Sequence, residues 1–324
     1  MSGTVPSGKG PAGGTHAERA SYYGRPVVKA PPWEHDIPAY MFAGGLAAGS
    51  SLLAAGADLT GRPALRRVGR LTSLGALGFS MAALVHDLGR PARFLNMLRT
   101  VKLTSPMSVG TWILSGYGLP AGIAAAAEAS AALGLRRGPF RLLAALGRPA
   151  GIAAAVTAPP VAGYTAVLLS DTAAPTWHES YRELPFVFCG SAAAAAGGLA
   201  TALVPMSQAG PARRLALGGA VAELVAEHRM EHRLGMLAEP LRTGTGGKLM
   251  RAARALTAAG AALSLVAGRS RVAAVASGAA LVAGSVCTRF GVFQAGMDSA
   301  KDPKYTVGPQ RERLERGEPV RYRG

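Results

Sequence analysis

Residues 86–112 read HDLGRPARFLNMLRTVKLTSPMSVGTW, a polar connector between two long apolar runs. Gly89 and Pro91 are typical of the end of one helix, and Pro106 is typical of the first turn of the next. The connector carries three arginines, a lysine, a histidine, an aspartate and an asparagine. A membrane protein that keeps so many ionisable groups at one rim usually has a use for them, so this stretch is the first candidate for a functional region.

The composition predicts a membrane protein. Of the 324 residues, 49% are hydrophobic and only 16% are charged, whereas about 25% of residues are charged in an average soluble domain. Several apolar runs reach the ~20 residues that a spanning helix needs. We predict an all-α, polytopic integral membrane helical bundle with about eight transmembrane helices, at residues 37–57, 68–86, 107–133, 149–169, 184–204, 214–234, 248–267 and 272–293.

The bundle then covers residues 37–296, between a polar N-terminal tail with an interface segment (1–36) and a basic C-terminal tail (297–324). The formal net charge of +17 comes from lysines and arginines in the connectors and tails. This placement favours contact with anionic membrane lipid and argues against nucleic acid as a partner. The first, third, fifth and seventh connectors are short and rich in arginine, so the positive-inside rule puts them in the cytoplasm and both termini outside.

Cofactor ligands are scarce. Cys189 and Cys287 both lie inside apolar runs, without a C-x-x-C pattern or a Cys/His cluster. We therefore expect no iron–sulfur cluster and no metal site in this chain. Only the sixth predicted span carries histidines near the interior, so we expect no haem held between two helices.

The pair His86-Asp87 at a helix end could exchange protons with a redox carrier at the rim, because histidine titrates near neutral pH. The alternative is structural: Asp87 pairs with Arg90 or Arg93, and His86 caps the helix.

Two aromatic groups could contribute to a ligand pocket. Trp33, His35 and Tyr40 stand at the entry to the first span, where the alternative is an ordinary aromatic belt. Tyr164 follows the Pro159-Pro160 pair in the fourth span, and its hydroxyl could donate a hydrogen bond to a carbonyl of a ligand.

The sixth span carries Glu223, Glu227 and Glu231 at four-residue spacing. We expect these acids, with Arg229 and Arg233, to form a salt-bridged helix end, while Glu223 could conduct protons. Glu128 in the third span is the other intramembrane carboxylate and a second candidate for a proton path.

The connector at 86–112, the opening IPAYMFAGGLAAG at 37–49 and the turn Gly163-Tyr164-Thr165 resemble the NrfD/polysulfide-reductase membrane-subunit family. The run RFGVFQAG at 289–296, followed by Asp302-Pro303-Lys304, is similar to the family's ending. The resemblance covers about residues 33–310. Its most specific signal is HDLGRP-x-RF-x-N, and its one small departure is Ala166, where the family often has glycine.

The resemblance implies a subunit of a molybdopterin/iron–sulfur oxidoreductase in the bacterial plasma membrane. Such a subunit binds menaquinone or another quinone, has no redox cofactor of its own, and exchanges electrons with a ferredoxin-like four-cluster iron–sulfur subunit beside a molybdopterin catalytic subunit. The resemblance assigns the quinone pocket to His35, Tyr40, His86, Asp87 and Tyr164. It assigns the pocket mouth or partner interface to Arg90, Arg93, Asn96 and Trp112.

Two other functions stay open at this point. The chain could be a transporter or ion pathway that uses Glu223 and Glu128, but it shows no convincing internal repeat, and transporters usually have one. It could also be a purely structural anchor that binds no quinone.

Overall fold

The structure is a computed structural model that describes residues 26–89, 96, 98, 99, 101–135 and 137–317. Within these ranges the chain forms eight long helices, two short helices and one 3-10 turn. The long helices are α1 (Asp36–Leu59), α2 (Pro63–Asp87), α3 (Pro106–Ala132), α4 (Pro139–Ser170), α6 (Leu184–Leu203), α7 (Gly210–Leu234), α8 (Gly244–Val266) and α9 (Arg271–Lys301). The short helices are α5 (Pro175–Glu179) and α10 (Lys304–Glu315), and the 3-10 turn is Gly235–Leu241.

The all-α membrane fold is confirmed. Six of the eight long helices are long and apolar enough to cross a membrane, the exceptions being α3 and α7. The charged residues of α7 and the glycine, serine and proline content of α3 lower their mean hydropathy, yet both helices run the length of the bundle beside the other six. Their neighbours, rather than their own composition, account for their place in the membrane.

The long helices form two four-helix bundles with the same order of contacts. In the first, α1 packs against α2 and α4, and α3 packs against α2 and α4. In the second, α6 packs against α7 and α9, and α8 packs against α7 and α9. The sequence showed no repeat, but the fold contains one at the level of helix order and pairing.

The two ends of the bundle carry different secondary-structure elements. We call the end where α1, α3, α6 and α8 begin face A, and the opposite end face B. Face A carries α5, the 3-10 turn and α10, whereas face B has only the short connectors 60–62, 133–138, 204–209 and 267–270. Helix α2 ends and helix α3 begins at face A, so both lead to the end of the bundle that carries the additional helices.

The bundles meet where small residues let backbones approach closely. A Cβ added at Gly49 would lie 2.7 Å from the Cβ of Ala196, and one added at Gly45 would lie 3.2 Å from the Cβ of Ala192. The G-x-x-x-G formed by Gly45 and Gly49 of α1 is therefore a packing surface against α6.

Two helices run beyond their predicted ends. The helix α4 begins at Pro139 and contains Pro149, where the prediction had placed its start. The helix α9 continues from Phe293 to Lys301. Its last turns are held by α5: the Thr176 N–H donates a hydrogen bond to Oγ of Ser299 at 3.2 Å, and Trp177 donates from Nε1 to the carbonyl of Val292 at 2.7 Å. These contacts are long-range, so the local sequence did not reveal them.

Candidate functional site

A cavity lies near face A among the four helices of the first bundle. Its volume is about 60 Å³. Each of the four helices contributes to its wall, and Trp33 closes one side. The lining residues are Trp33, Ile37, Tyr40, Met41, Leu84, Asp87, Leu88, Met107, Gly110, Thr111, Leu114, Tyr164 and Leu168. Three residues that the sequence assigned to a quinone pocket, Tyr40, Asp87 and Tyr164, thus share one cavity.

Tyr164 owes its position to a glycine on the neighbouring helix. A Cβ at position 110 would lie 2.6 Å from Cε2 and 2.7 Å from Cδ2 of the Tyr164 ring. The ring can therefore lie against α3 only because residue 110 has no side chain. Tyr40 approaches from the other side, with ring centroids 6.4 Å apart and an interplanar angle of 72°, a common edge-to-face geometry.

Both tyrosine hydroxyls face the cavity without a protein partner. Tyr40 is 5% exposed, and its main-chain carbonyl accepts a hydrogen bond from the Ser80 hydroxyl at 3.1 Å. In the described part of the chain, no group bonds to the hydroxyl of Tyr40 or of Tyr164. Tyr40 is buried and Tyr164 is half-buried, and tyrosine hydroxyls inside a protein normally have a partner, so these two are available to a ligand that accepts hydrogen bonds.

Asp87 and His86 lie on different sides of the last turn of α2. Asp87 is half-buried and lines the cavity. The His86 side chain is 81% exposed, and its Nδ1 lies 2.6 Å from Oδ2 of Asp36 at the start of α1. The exposed pair of His86 and Asp36 thus lies at face A, and His86 directly precedes the carboxylate that lines the cavity.

The other assigned residues lie away from the cavity wall. His35 is exposed and stacks on Phe290 with ring centroids 6.5 Å apart. Trp112 is 44% exposed and lines a separate apolar groove on the far side of α3. Asn96 is exposed, and its carbonyl accepts a hydrogen bond from the Arg99 N–H at 3.2 Å. Arg90 and Arg93 lie outside the described residues, and so does the pairing of Asp87 with either of them.

Sequence reasoning missed three contributors to this site. Gly110 and Thr111 lie on the cavity side of α3, and Leu168 lies one turn after Tyr164 on α4. The sequence could have indicated Leu168, because residues 164 and 168 lie on one face of a helix. Nothing in the local sequence of α3 distinguishes Gly110 from its other glycines.

Glu128, one of the two proposed proton-path residues, belongs to an ion cluster near face B. It is 3% exposed, and its carboxylate lies 3.0 Å from Nε of Arg66 and 3.2 Å from Nη1 of Arg70. Asp58 completes the cluster at 3.2 Å from Nη2 of Arg70. Arginine is always charged, so the buried carboxylate of Glu128 has counter-charges in contact with it.

The acids of α7 pair with different arginines from those expected. Arg254 of α8 lies 2.7 Å from both Glu227 and Glu231, and Arg242 lies 3.0 Å from Glu231. Arg233 pairs instead with Glu183. The expectation of local pairs within α7 was wrong because the acids face α8 in the bundle interior. Among the described residues, no group of three or more His, Cys, Asp or Glu side chains is arranged to hold a metal.

The chain matches the family model described as Polysulphide reductase, NrfD, over residues 27–216. No curated protein matches the chain. The matched region is more than half of the 324 residues and includes the whole first bundle with its cavity. The chain therefore belongs to the NrfD polysulphide reductase family, which consists of membrane subunits of oxidoreductase complexes.

Proposed function

We propose that this protein binds a quinone, menaquinone or a related molecule, in the cavity of the first bundle and serves as the quinone-reactive subunit of its complex. One observation carries the proposal: the buried Tyr40 and the half-buried Tyr164, whose hydroxyls have no hydrogen-bond partner among the described residues, share a largely apolar cavity with a carboxylate. A quinone presents two carbonyl oxygens on an apolar ring. Two phenol donors in an apolar cavity match that pattern.

The side chains around the cavity suit proton exchange at those oxygens. Quinone reduction takes up two electrons and two protons, and the reverse reaction releases them. Tyr40 and Tyr164 would orient the ring by donating hydrogen bonds to its oxygens. Asp87 would give or take the protons, and the Asp36–His86 pair would exchange them with water at face A.

The cavity must widen to admit a ring. A volume of about 60 Å³ has room for a few water molecules. Met41 and Met107 both line it, and methionine side chains change shape readily. We expect these two side chains to move on binding, while the tyrosines keep their places against the helices.

Electrons would reach the cavity from a partner at face A. The cavity lies near that face, and face A has the structured surface formed by α5, the 3-10 turn and α10. In this proposal a ferredoxin-like four-cluster iron–sulfur subunit docks there and links the quinone to a molybdopterin catalytic subunit.

The charge distribution favours face B as the cytoplasmic side of a bacterial plasma membrane. The described arginines near face B are Arg62, Arg66, Arg67, Arg70, Arg137, Arg141, Arg148, Arg213, Arg214, Arg269 and Arg271. The acids there, Asp58 and Glu128, are both paired with arginine. An excess of arginine in short loops marks the cytoplasmic side, so both termini, the cavity and the partner would lie outside.

The test is a titration of the purified full chain in nanodiscs with a short-tailed menaquinone analogue. The wild type should bind one molecule. Tyr164→Phe removes one hydrogen bond of about 0.5–1.5 kcal/mol, which corresponds to about a 2- to 12-fold weaker Kd. Asp87→Asn should preserve binding while slowing quinone reduction by a chemical reductant.

Tyr117→Phe is the matched control. Tyr117 is also fully buried in the first bundle, but its hydroxyl is bonded to Ser51 at 2.9 Å and to Ser73 at 2.7 Å, away from the cavity. Its loss should leave the Kd unchanged. No binding by the folded wild type, or equal losses in the Tyr117 and Tyr164 variants, would refute the proposal.

A further inference from the structure

The second bundle contains a row of three buried carboxylates that the quinone proposal does not use. Glu231, Glu227 and Glu223 follow one face of α7 and are 8%, 2% and 1% exposed. Eight residues of helix separate the first from the last, a rise of about 12 Å. Glu223 lies about 16 Å from the end of α7 at face A, near the middle of a core about 30 Å thick. The row therefore leads from face A to the middle of the membrane.

The partners of these carboxylates change along the row. Glu231 accepts hydrogen bonds from Arg242 at 3.0 Å and Arg254 at 2.7 Å. Glu227 has an ion pair with Arg254 at 2.7 Å, although the angle does not make a hydrogen bond. Within the described residues, Glu223 has no cation within ion-pair distance. The innermost carboxylate is thus the one that has no arginine within ion-pair distance among the described residues.

Hydroxyl groups surround Glu223 instead. Thr288 donates to its Oε1 at 2.7 Å, and the Thr257 hydroxyl lies 3.5 Å from its Oε2. Ser191 lies beside it and is bonded to Ser285 at 2.9 Å. A hydroxyl can donate to a carboxylate and can also accept from a carboxylic acid, whereas a guanidinium only donates. This environment therefore accommodates both protonation states of Glu223.

A second, independent feature lies next to this carboxylate. Arg289 follows Thr288 on α9 and is fully buried. Its Nη2 donates to the carbonyl of Phe188 at 2.8 Å, but Nε and Nη1 have no partner. Buried guanidinium nitrogens without partners are costly. The guanidinium carbon also lies 3.8 Å from the centroid of the Phe188 ring, a cation–π contact that offsets part of this cost.

We propose that Glu223 is a reversible proton-binding site at mid-membrane, reached from face A along Glu231 and Glu227. A hydronium ion from face A would give its proton to Glu223, which becomes a neutral carboxylic acid, and water is released. The reverse step returns the proton by the same route. The charged and titratable groups that face the site are Arg289 on α9, Glu227 with Arg254 on α7 and α8, and Cys189 on α6.

A proton fits the site better than a metal cation. Among the described residues, no group of three or more His, Cys, Asp or Glu side chains is placed to hold a metal ion, whereas a proton needs only one carboxylate oxygen of Glu223. Glu128 in the first bundle gives the contrast, because arginines surround it. Glu223, Thr257, Thr288 and Arg289 lie beyond residue 216, outside the matched family region, whereas Ser191 lies inside it. The two-bundle repeat also answers the objection that an ion pathway would show an internal repeat.

The first test is infrared difference spectroscopy of the full chain in nanodiscs during a pH titration. We expect a carboxylic-acid C=O band that rises as pH falls, disappears in Glu223→Gln and shifts in Thr288→Val. The matched control is Glu239→Gln, an exposed carboxyl at the same face that is paired with Lys304. This control should leave the band unchanged. A band that survives Glu223→Gln, or the absence of any band in the wild type, would overturn the proposal.

The second test measures the route. After a rapid pH jump, Glu227→Leu should slow the appearance of the Glu223 band by about 100-fold, the scale for loss of a positioned proton-transfer group. Glu227→Gln takes its place if the leucine variant does not fold. An unchanged rate would overturn the route. Loss of the band on adding sodium ions at constant pH would overturn the proton as occupant. Neither measurement depends on quinone, so this inference and the quinone proposal can fail separately.

Discussion

Replacing Gly110 with alanine tests the position of Tyr164 without removing any polar group. The new Cβ would lie 2.6 Å from Cε2 of the tyrosine ring, whereas carbon atoms prefer about 3.5–4.0 Å. The ring must therefore move by about 1 Å, away from its place in the cavity wall. Such overpacking lowers the unfolding free energy by about 1–3 kcal/mol, whereas the better helix propensity of alanine raises it by about 1 kcal/mol.

Gly122→Ala is the control that separates the effect of overpacking from the effect of helix propensity. Gly122 lies on the same helix, and a Cβ there would meet nothing within 4 Å. This variant should gain the helix propensity alone and be more stable by about 1 kcal/mol. The difference in unfolding free energy between the two variants, measured in mixed micelles, isolates the steric contact with Tyr164.

Quinone affinity supplies the second measurement. Displacing the Tyr164 hydroxyl should cost a hydrogen bond of about 0.5–1.5 kcal/mol, so Gly110→Ala should weaken the Kd by about 2- to 12-fold. Gly122→Ala should bind like the wild type. If the two variants have the same Kd and the same stability, Tyr164 is not held against α3 and the reasoning about the cavity is wrong.

Three further predictions concern other parts of the molecule. Glu128→Gln leaves Arg70 buried with only Asp58 as its counter-charge. This variant should lower the unfolding free energy by about 3 kcal/mol. A loss no larger than that of Glu239→Gln would contradict the buried ion cluster. Tyr117→Phe breaks the hydroxyl triangle with Ser51 and Ser73 and should cost about 1 kcal/mol; an unchanged unfolding midpoint would argue against those bonds. A hydrogen bond to Glu239 raises the pKa of Lys304. A raised pKa stabilises the folded state below the ordinary lysine pKa, and this stabilisation is lost at strongly alkaline pH, so the protection of α10 amides relative to their intrinsic exchange rates should fall only there. Glu239→Gln should remove that pH dependence.

Much of the fold was predictable because a bilayer imposes a simple length requirement. A spanning helix needs a long apolar run, and each such run in the sequence became a helix. Pro106 opens α3 as expected, since proline fits the first turn of a helix. The ends of α4 and α9 were not predictable, because partners such as Trp177 decide how far a helix continues.

The candidate site was predictable only in part. Motifs pointed to Tyr40, Asp87 and Tyr164, and the structure brings these three to one cavity. The sequence treated His86 and Asp87 alike, but successive residues of a helix point about 100° apart, so only one of them faces the cavity. The partner of His86 is Asp36, fifty residues earlier, and no local pattern indicates that contact.

The membrane class, the number of long helices and the residue types available for chemistry follow from the sequence, because these depend on apolar length and local pattern. The partners of the buried ionisable groups follow from helix packing, which brings distant residues together. Glu128 and Glu223 look equivalent in the sequence, yet one is surrounded by arginines and the other by hydroxyls. That difference comes from which helices pack together, and burial makes the choice of neighbour decisive for a charge.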